Sequence, residues 1–504
     1  MTKKKIQIFM GVDLGTSSIK AGIFDSDGEE IGFSSVENSI IYSSPDTSEL
    51  NPKIIFHSFL KVVKQCIKKS KISADNLEAI CLSTQMHSII AIDSQGNCVT
   101  NAIIWADTRS KKQAEYIKEK FDYKKLSFDT GCRVTHPAYP LSKILWLKEN
   151  EPYLYKKIYK FITIKGYVLL KLFGDFFIDY SDASSTGFFN IHKFKWDDYI
   201  IENVLNIKPD KFCEPVECTH ILKNIKKEYA DYMGLKDNTA FVIGSTDGVL
   251  SNFGSGVFDD NSVSCTIGTS GAIRVTTKKP LIDPLQRTWC YCFGKDIYVA
   301  GGAINNGGLV LKWLENLCKS QYEHEIKLFN AKNIFKLFDL YASQAEPGSK
   351  GLIFLPFLTG ERSPNWNANA VGIIYGLTLM HEKKHIIRSA MEGVIYNIFS
   401  VYKVVNQFNR NIKKIKASGG YSHSDIWLQI QADVFNKDIE TLNINDTAVL
   451  GASYVAMLAI GAIDSFEKGL SVMKPYKIIK PIEKNVKVYE KAYKKFGELN
   501  SKIN

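Results

Sequence analysis

At 504 residues, with 45% hydrophobic and 12% aromatic side chains, the chain is too long for one ordinary core and apolar enough to bury a core in each of two halves. Its formal charge of +11 is scattered through mixed runs such as Lys111-Lys112-Gln113-Ala114-Glu115 and is densest at Lys3-Lys4-Lys5. Nucleic acid and a membrane surface, which need a basic face and not merely a basic total, are therefore not expected as partners.

The ten cysteines are dispersed, no secretory apolar segment follows Met1 and no apolar run is long enough to span a membrane. The expectation is a reducing, cytoplasmic setting. Cys213, Cys218 and His220 stand close together and Cys290 and Cys292 form a C-x-C, but neither group has a second ligand pair at zinc spacing, so they read as buried thiols.

In chain order, the apolar run Ile6 to Val12 predicts a buried strand, Asp13-Leu14-Gly15-Thr16-Ser17-Ser18 a tip, and Ile19 to Asp25 a returning strand closed by Ser26-Asp27-Gly28. At that tip Gly15 admits an anion close to the backbone, and the hydroxyls of Thr16, Ser17 and Ser18 can donate to phosphate oxygens. Asp13 has the wrong sign for that task unless it holds Mg²⁺. An ordinary hairpin with a Gly-Thr-Ser turn would look the same.

Glu30 to Val36 predicts a third strand and Asn51 to Lys69 a helix. Leu77 to Thr84 is a strand running into Gln85-Met86-His87-Ser88, and Ile89 to Asp93 is another. Polar residues at a strand end are where open α/β sheets meet ligands, so His87 reads either as a substrate contact or as a core histidine on a backbone carbonyl. After Trp105, Asp107 and Arg109 could pair with each other. The prolines around His136 fix an extended loop before a helix near Leu141. Residues 148–171 read as mostly helical, 179–187 as a polar loop and 200–240 as helical and charged.

Phe241 to Gly248 predicts a strand that delivers Asp247 at its end, as a base or as a helix cap. Asn261 to Ile273 then copies the opening pattern of strand, Gly-Thr-Ser tip and strand. That repetition implies two related domains, 1–250 and 251–504, each lending a phosphate loop to one nucleotide in the cleft between them. Gly301 to Gly308 reads as opening a helix through Trp313. Lys416 to Ser422 is a strand ending in Gly419-Gly420, and Val449 to Ile460 a helix of small residues. The glycine clusters permit either a base on bare backbone or tight helix packing.

The P-loop pattern is absent, and no G-x-G-x-x-G follows a predicted strand. Instead the paired hairpins, Pro140-Leu141-Ser142-Lys143 through Asn150, and Gly372 through Leu377 with His385 through Glu392, resemble the FGGY family of sugar kinases over residues 6–480. The resemblance implies an α/β fold of two actin-like, ribonuclease-H-like ATPase domains around a central cleft. It implies an ATP- and Mg²⁺-dependent transfer to a sugar or sugar acid. Gln85-Met86-His87-Ser88, Trp105-Ala106-Asp107-x-Arg109, His136-Pro137 and Asn305-Asn306-Gly307-Gly308 are similar to the gluconate-acting branch, and xylulose-acting members share part of them.

By the same resemblance Asp247 is the catalytic base and touches substrate, and Asp13 is the Mg²⁺-associated carboxylate. Gly15, Thr16, Ser17 and Lys20 form the first phosphate loop and Gly268 and Thr269 the second, while Gly308, Gly419, Gly420 and Ser424 meet adenosine. Gln85, Met86 and His87 meet the sugar. A substrate carboxylate would need a cation, for which Arg109, His136 and Lys165 are candidates beside His87. Other expectations are a homodimer as the compatible assembly and, as the competing reading, a non-catalytic actin-like ATP-binding module.

Overall fold

The computed structural model describes residues 7–408, 411–470 and 473–503, so the Lys3-Lys4-Lys5 cluster lies outside the described residues. Two compact units emerge. The first is Met1–Phe258 with Thr277–Val299 and Ile444–Met473, and the second is Asp259–Thr276 with Ala300–Asn443 and Lys474–Asn504. The first break falls close to residue 250, but the units are not the continuous halves 1–250 and 251–504, because two later segments pack with the first unit.

In the first unit, β1 (Ile8–Leu14), β2 (Ser18–Asp25) and β3 (Glu30–Glu37) form an antiparallel meander. Helix α1 (Pro52–Ser70) follows, its start fixed by Asn51, whose side chain accepts from the backbone N–H groups of Lys53 and Ile54. Next come β4 (Leu77–Thr84), α2 (Pro140–Asn150), β5 (Ile221–Leu222), β6 (Ala240–Thr246) and α3 (Asp247–Gly254). The strands stand in the order β5-β6-β4-β1-β2-β3, with β1, β4 and β6 mutually parallel. Every residue of β1 is buried, as expected of a strand covered on both faces.

The second unit repeats the plan. It holds β7 (Ser262–Ile267), β8 (Gly271–Thr277), β9 (Ile297–Ile304), α4 (Leu309–Leu317), α5 (Ile334–Ser343), α6 (Lys383–Asn406), β10 (Lys414–Ser418), α7 (Asp425–Phe435) and β11 (Asp438–Thr441). Helix α8 (Thr447–Ala459) rejoins the first unit, before β12 (Lys477–Ile479) and α9 (Glu483–Ile503) end the chain in the second. Of a seven-stranded sheet, these strands stand in the order β9-β8-β7-β10-β11-β12. As in the first unit, an antiparallel hairpin lies beside two parallel strands.

Glycine explains why α8 packs with the first unit. A Cβ on Gly11 would collide with the Val449 carbonyl, one on Gly254 with the Thr447 carbonyl and one on Gly451 with the Leu250 carbonyl. β1, α3 and α8 therefore touch backbone to backbone.

Residues 148–171 are mostly helical as expected, with a strand at Lys160–Ile162 between the helices. Three expectations need correction. The 179–187 segment is not a loop, because Asp179 caps a short helix, Tyr180–Ser184. Within 200–240 lie strands Glu214–Val216 and Ile221–Leu222 and one helix, Lys227–Met233, after a π turn. Gly301 and Gly302 belong to strand β9, so the helix opens only after Gly308. Cys213, Cys218, Cys290 and Cys292 are buried free thiols. Among the described residues, no helix is long and apolar enough to cross a membrane.

Candidate active site

The carboxyl ends of β1, β4 and β6 lie side by side, the edge at which parallel sheets present ligand-binding groups. In register, Asp13 faces Lys20 on β2 and Ser83 on β4, and Ser83 and Thr84 face Ser245 and Thr246. One residue further, Asp247 opens α3. Its Oδ1 accepts from the Gly248 backbone N–H at 2.6 Å, while Thr246 occupies the cap position.

Asp13 is buried and accepts from the Ser83 hydroxyl at 2.7 Å. Burial first, then Asp446, raises its pKa to about 7; Asp247 adds to this, while Lys20 and the Ser83 bond oppose it. Lys20 itself donates to Asp446 at 2.7 Å. Burial would lower the Lys20 pKa, but Asp446 and Asp13 hold it above the usual lysine range. Sequence reasoning missed Asp446, which caps α8 by accepting from Ala448 and Val449. The only available signal was an Asp-Thr pair before a run of small residues, a helix-start pattern some 430 positions from its partner.

Three carboxylates therefore act on one ammonium, an excess that fits a hard divalent cation. Among the described residues, no three His, Cys, Asp or Glu groups form a ligand set. Asp13 is the carboxylate that would hold such an ion.

The first tip is fastened from outside. The Asn38 side chain donates to the Gly15 carbonyl at 2.9 Å and its N–H to the Ser17 carbonyl at 2.9 Å, with the Ser17 side chain exposed. Thr16 Oγ1 donates to Gln85 Oε1 at 2.9 Å and accepts from the Trp105 indole N–H at 3.0 Å. Gln85, which follows β4, is thereby tied to the tip, and Met86 beside it is half-buried.

His87 takes the core arrangement, with its ring on a backbone carbonyl. It is buried with a left-handed backbone (φ 63°), and its Nδ1 lies 2.7 Å from the Ser185 carbonyl. An N–H at Nδ1 leaves Nε2 an acceptor, with the Tyr291 hydroxyl 3.5 Å away. The His87 carbonyl accepts from Lys143, which is itself buried and also donates to the Ile104 carbonyl.

Of the cations expected to meet a substrate carboxylate, two serve inside the protein. Arg109 is bound to Asp107 at 2.7 Å and Glu49 at 2.5 Å. Lys165, fully buried, pairs with Asp179 at 2.5 Å. Asp182 lies in the same buried group, accepts from Thr163 at 2.7 Å and is raised to about 7, chiefly by burial. His136 lies half-buried in the Arg133–Tyr139 loop. Its Nδ1 accepts from the Ala138 N–H at 3.2 Å, which leaves the proton of the neutral ring on Nε2. Arg133, which sequence reasoning passed over, donates from the same loop to the Gln286 carbonyl at 3.2 Å, and burial lowers its pKa.

In the second unit, Gly268, Thr269, Gly308, Gly420 and Ser424 line one cavity of about 410 Å³. The Gly308 N–H donates to the Gly268 carbonyl at 2.7 Å and the Gly307 N–H to the Thr269 carbonyl at 2.9 Å. A Cβ on Gly307 would come within 2.6 Å of the Ser270 carbonyl oxygen. Gly419, which is not among the lining residues, precedes Gly420 with φ 90°, and a Cβ on it would come within 2.6 Å of the Ile267 carbonyl oxygen. Sequence reasoning missed the apolar walls Phe335 and Trp427 and the carboxylate of Asp339, which accepts from Ser424 at 2.5 Å.

Residues 8–254 match the FGGY family of carbohydrate kinases, N-terminal domain, and residues 263–460 its C-terminal domain. The chain is 36% identical to a gluconokinase of Bacillus subtilis (strain 168), over 95% of this chain and 93% of that one. Two solved structures from Lactobacillus acidophilus, a gluconate kinase and a ligand-bound xylulose kinase, each superpose with a TM-score of 0.90 at 31% identity over 98% of both chains. With both family domains present in order, with an actin-like sheet in each unit and with a carboxylate-bearing strand edge in the first, the chain belongs to the FGGY family and is an ATP-dependent carbohydrate kinase.

Proposed function

We propose that the chain phosphorylates a sugar acid, D-gluconate, to 6-phospho-D-gluconate. Asp247 takes the proton of the acceptor hydroxyl as that oxygen attacks the γ-phosphorus and the bond to the β-phosphate oxygen breaks, releasing ADP. The position of Asp247 at the end of β6, beside the Asp13 group, supports that role. Mg²⁺ bound with the nucleotide would neutralise phosphate charge, and Asp13 is the residue that would hold it. Gly15, Thr16, Ser17 and Lys20 are assigned to phosphate, and Gly268, Thr269, Gly308, Gly419, Gly420 and Ser424 to the nucleotide. Gln85, Met86 and His87 are assigned to the sugar, with Nε2 of His87 accepting from a hydroxyl.

The observation that carries the choice of a sugar acid is the likeness to a gluconokinase over nearly the whole chain; within that reading, the internal pairing of Arg109 and Lys165 limits which side chains are left to meet the carboxylate. Because those two charges are already balanced, recognition of a substrate carboxylate shifts to the Arg133–Tyr139 loop, with His136 Nε2 as donor. The two Lactobacillus structures do not separate the two sugars. The test is ADP release measured over gluconate, xylulose, glycerol, ribulose and fuculose. Gluconate should give the highest kcat/KM, and His136→Ala should raise its KM about tenfold, the order expected for one charge-assisted bond, while the KM for ATP stays put. A preference for xylulose would overturn the sugar, and equal losses on gluconate and on a neutral polyol would remove His136 from carboxylate recognition.

A further inference from the structure

The family-like stretch from His385 to Glu392 lies on α6, outside both groups of residues described above, and it organises a different surface of the second unit. Glu392 is buried, and its Oε1 accepts from Arg388 Nε at 2.9 Å, from the Tyr489 hydroxyl at 2.8 Å and from the Gly348 N–H at 2.9 Å. Its Oε2 accepts from the Ser349 hydroxyl at 2.9 Å. Arg388 also donates to the Ala342 and Ala345 carbonyls and to Tyr489. One carboxylate thus ties α6, helix α9 and the turn at 348–351 together.

That turn is unusual. Gly348, Ser349, Lys350 and Gly351 all have positive φ, at 77°, 47°, 54° and 84°. For Ser349 and Lys350 this conformation is sterically disfavoured and persists only where the surroundings impose it. The result is that Lys350 lines a groove of about 460 Å³ opposite Lys487, Lys491 and Lys495. The three α9 lysines recur every fourth residue, so they share one helix face over roughly 12 Å.

The acidic groups at the groove do not balance it. Glu346 lies on its wall, 3.3 Å from His385, and is held below the usual carboxylate range by a backbone bond first, with Lys350 and His385 adding to it. Glu483 and Glu498 reach Lys487 and Lys495 at 3.1 and 3.4 Å from exposed positions, where such pairs contribute little.

We propose that this groove is a binding site for a small anion carrying two or more phosphate groups. A single orthophosphate cannot reach ammonium groups spread along about two turns of helix, whereas a phosphoanhydride chain or a bisphosphate spans them. The groove volume suits a small molecule, and Glu392 fixes the backbone of the turn and of α9 that carries the lysines.

Acetylation of lysines in the full-length protein, read residue by residue by mass spectrometry, separates this groove from the nucleotide site. Inorganic tripolyphosphate and glucose 1,6-bisphosphate, each at millimolar concentration, serve as probes for the chain and bisphosphate sources, with orthophosphate as control. At least one polyphosphate should slow labelling of Lys350 and Lys491 several-fold while leaving exposed Lys112 and Lys223 unchanged, and whichever protects better identifies the source. The double variant Lys350→Asn/Lys491→Gln, in which Asn tolerates the left-handed position, should lose about tenfold in affinity, read as protection of Lys487 and Lys495, and retain the wild-type kcat. Equal labelling with and without both polyphosphates, or undiminished protection in the double variant, would overturn the site.

Discussion

The two tips, Gly15–Ser18 after β1 and Gly268–Ser270 after β7, share one backbone plan and differ in chemistry. Each hairpin lies beside a parallel strand, β4 or β10, and that strand lies beside a second, β6 or β11. The first tip is surrounded by charge, with Asp13, Lys20, Asp446 and Asp247 influencing one another. At the second, Gly307 and Gly308 press backbone against backbone, and the charged members of the adjoining cavity are Lys312 and Asp339 on helices. A duplicated scaffold can therefore divide its work, with one copy handling the proton and the cation and the other shaped to a flat, largely apolar ligand.

Asp247→Asn should break the charged side hardest. It keeps the shape and the bond to the Gly248 N–H while removing the base, so kcat should fall about 10²-fold or more, with ATP and sugar affinities nearly unchanged. Steady-state kinetics paired with calorimetric binding checks this, and turnover near the wild-type level would remove Asp247 from the chemistry.

Asp13→Asn should act next, because no carboxylate occupies the matching place on the second hairpin. Half-saturation by Mg²⁺ should rise several-fold, roughly 1 kcal/mol. An unchanged Mg²⁺ titration would make Asp13 a hairpin residue bonded to Ser83 and nothing more.

A third effect, on stability instead of turnover, concerns Lys143, whose Nζ holds the His87 and Ile104 carbonyls while burial, ahead of all else, lowers its pKa to about 7. An unfolded lysine keeps its proton up to the ordinary range near 10.5. Between pH 7 and that range the unfolded chain binds more protons, so folding stability rises with pH through the window and the burial penalty is largest below it. Relative to Lys143→Met, the wild type should gain about 1 kcal/mol or more in urea unfolding between pH 7 and 9. Parallel curves for the two proteins would contradict this assignment.

What the sequence made legible follows from local physics. The hairpin tips, Asp247 at the end of its strand and the Gly419-Gly420 turn each announce themselves within a few residues, because strand periodicity and glycine act locally. Residues 179–187 misled because their polar groups are satisfied inside the protein. Asp179 both caps the short helix and pairs with Lys165, and Ser181 shares a hydrogen bond with Thr246. Burial there is invisible in composition. Asp446, Phe335 and Asp339 escaped notice because their roles arise only when distant helices are brought against the sheet edges, and of the two partners of Arg109 the nearby Asp107 was legible while Glu49, 60 positions away, was not.

The division of labour between the hairpins is tested most directly by one pair of Michaelis constants in Gly307→Ala. The added methyl would meet the Ser270 carbonyl oxygen at 2.6 Å and the Gly268 carbonyl oxygen at 2.8 Å, deforming the second tip without touching the first. The KM for ATP should rise about tenfold, roughly 1.4 kcal/mol, with the KM for the sugar unchanged. A rise confined to the sugar, or shared equally by both substrates, would contradict the assignment of the nucleotide to the second unit.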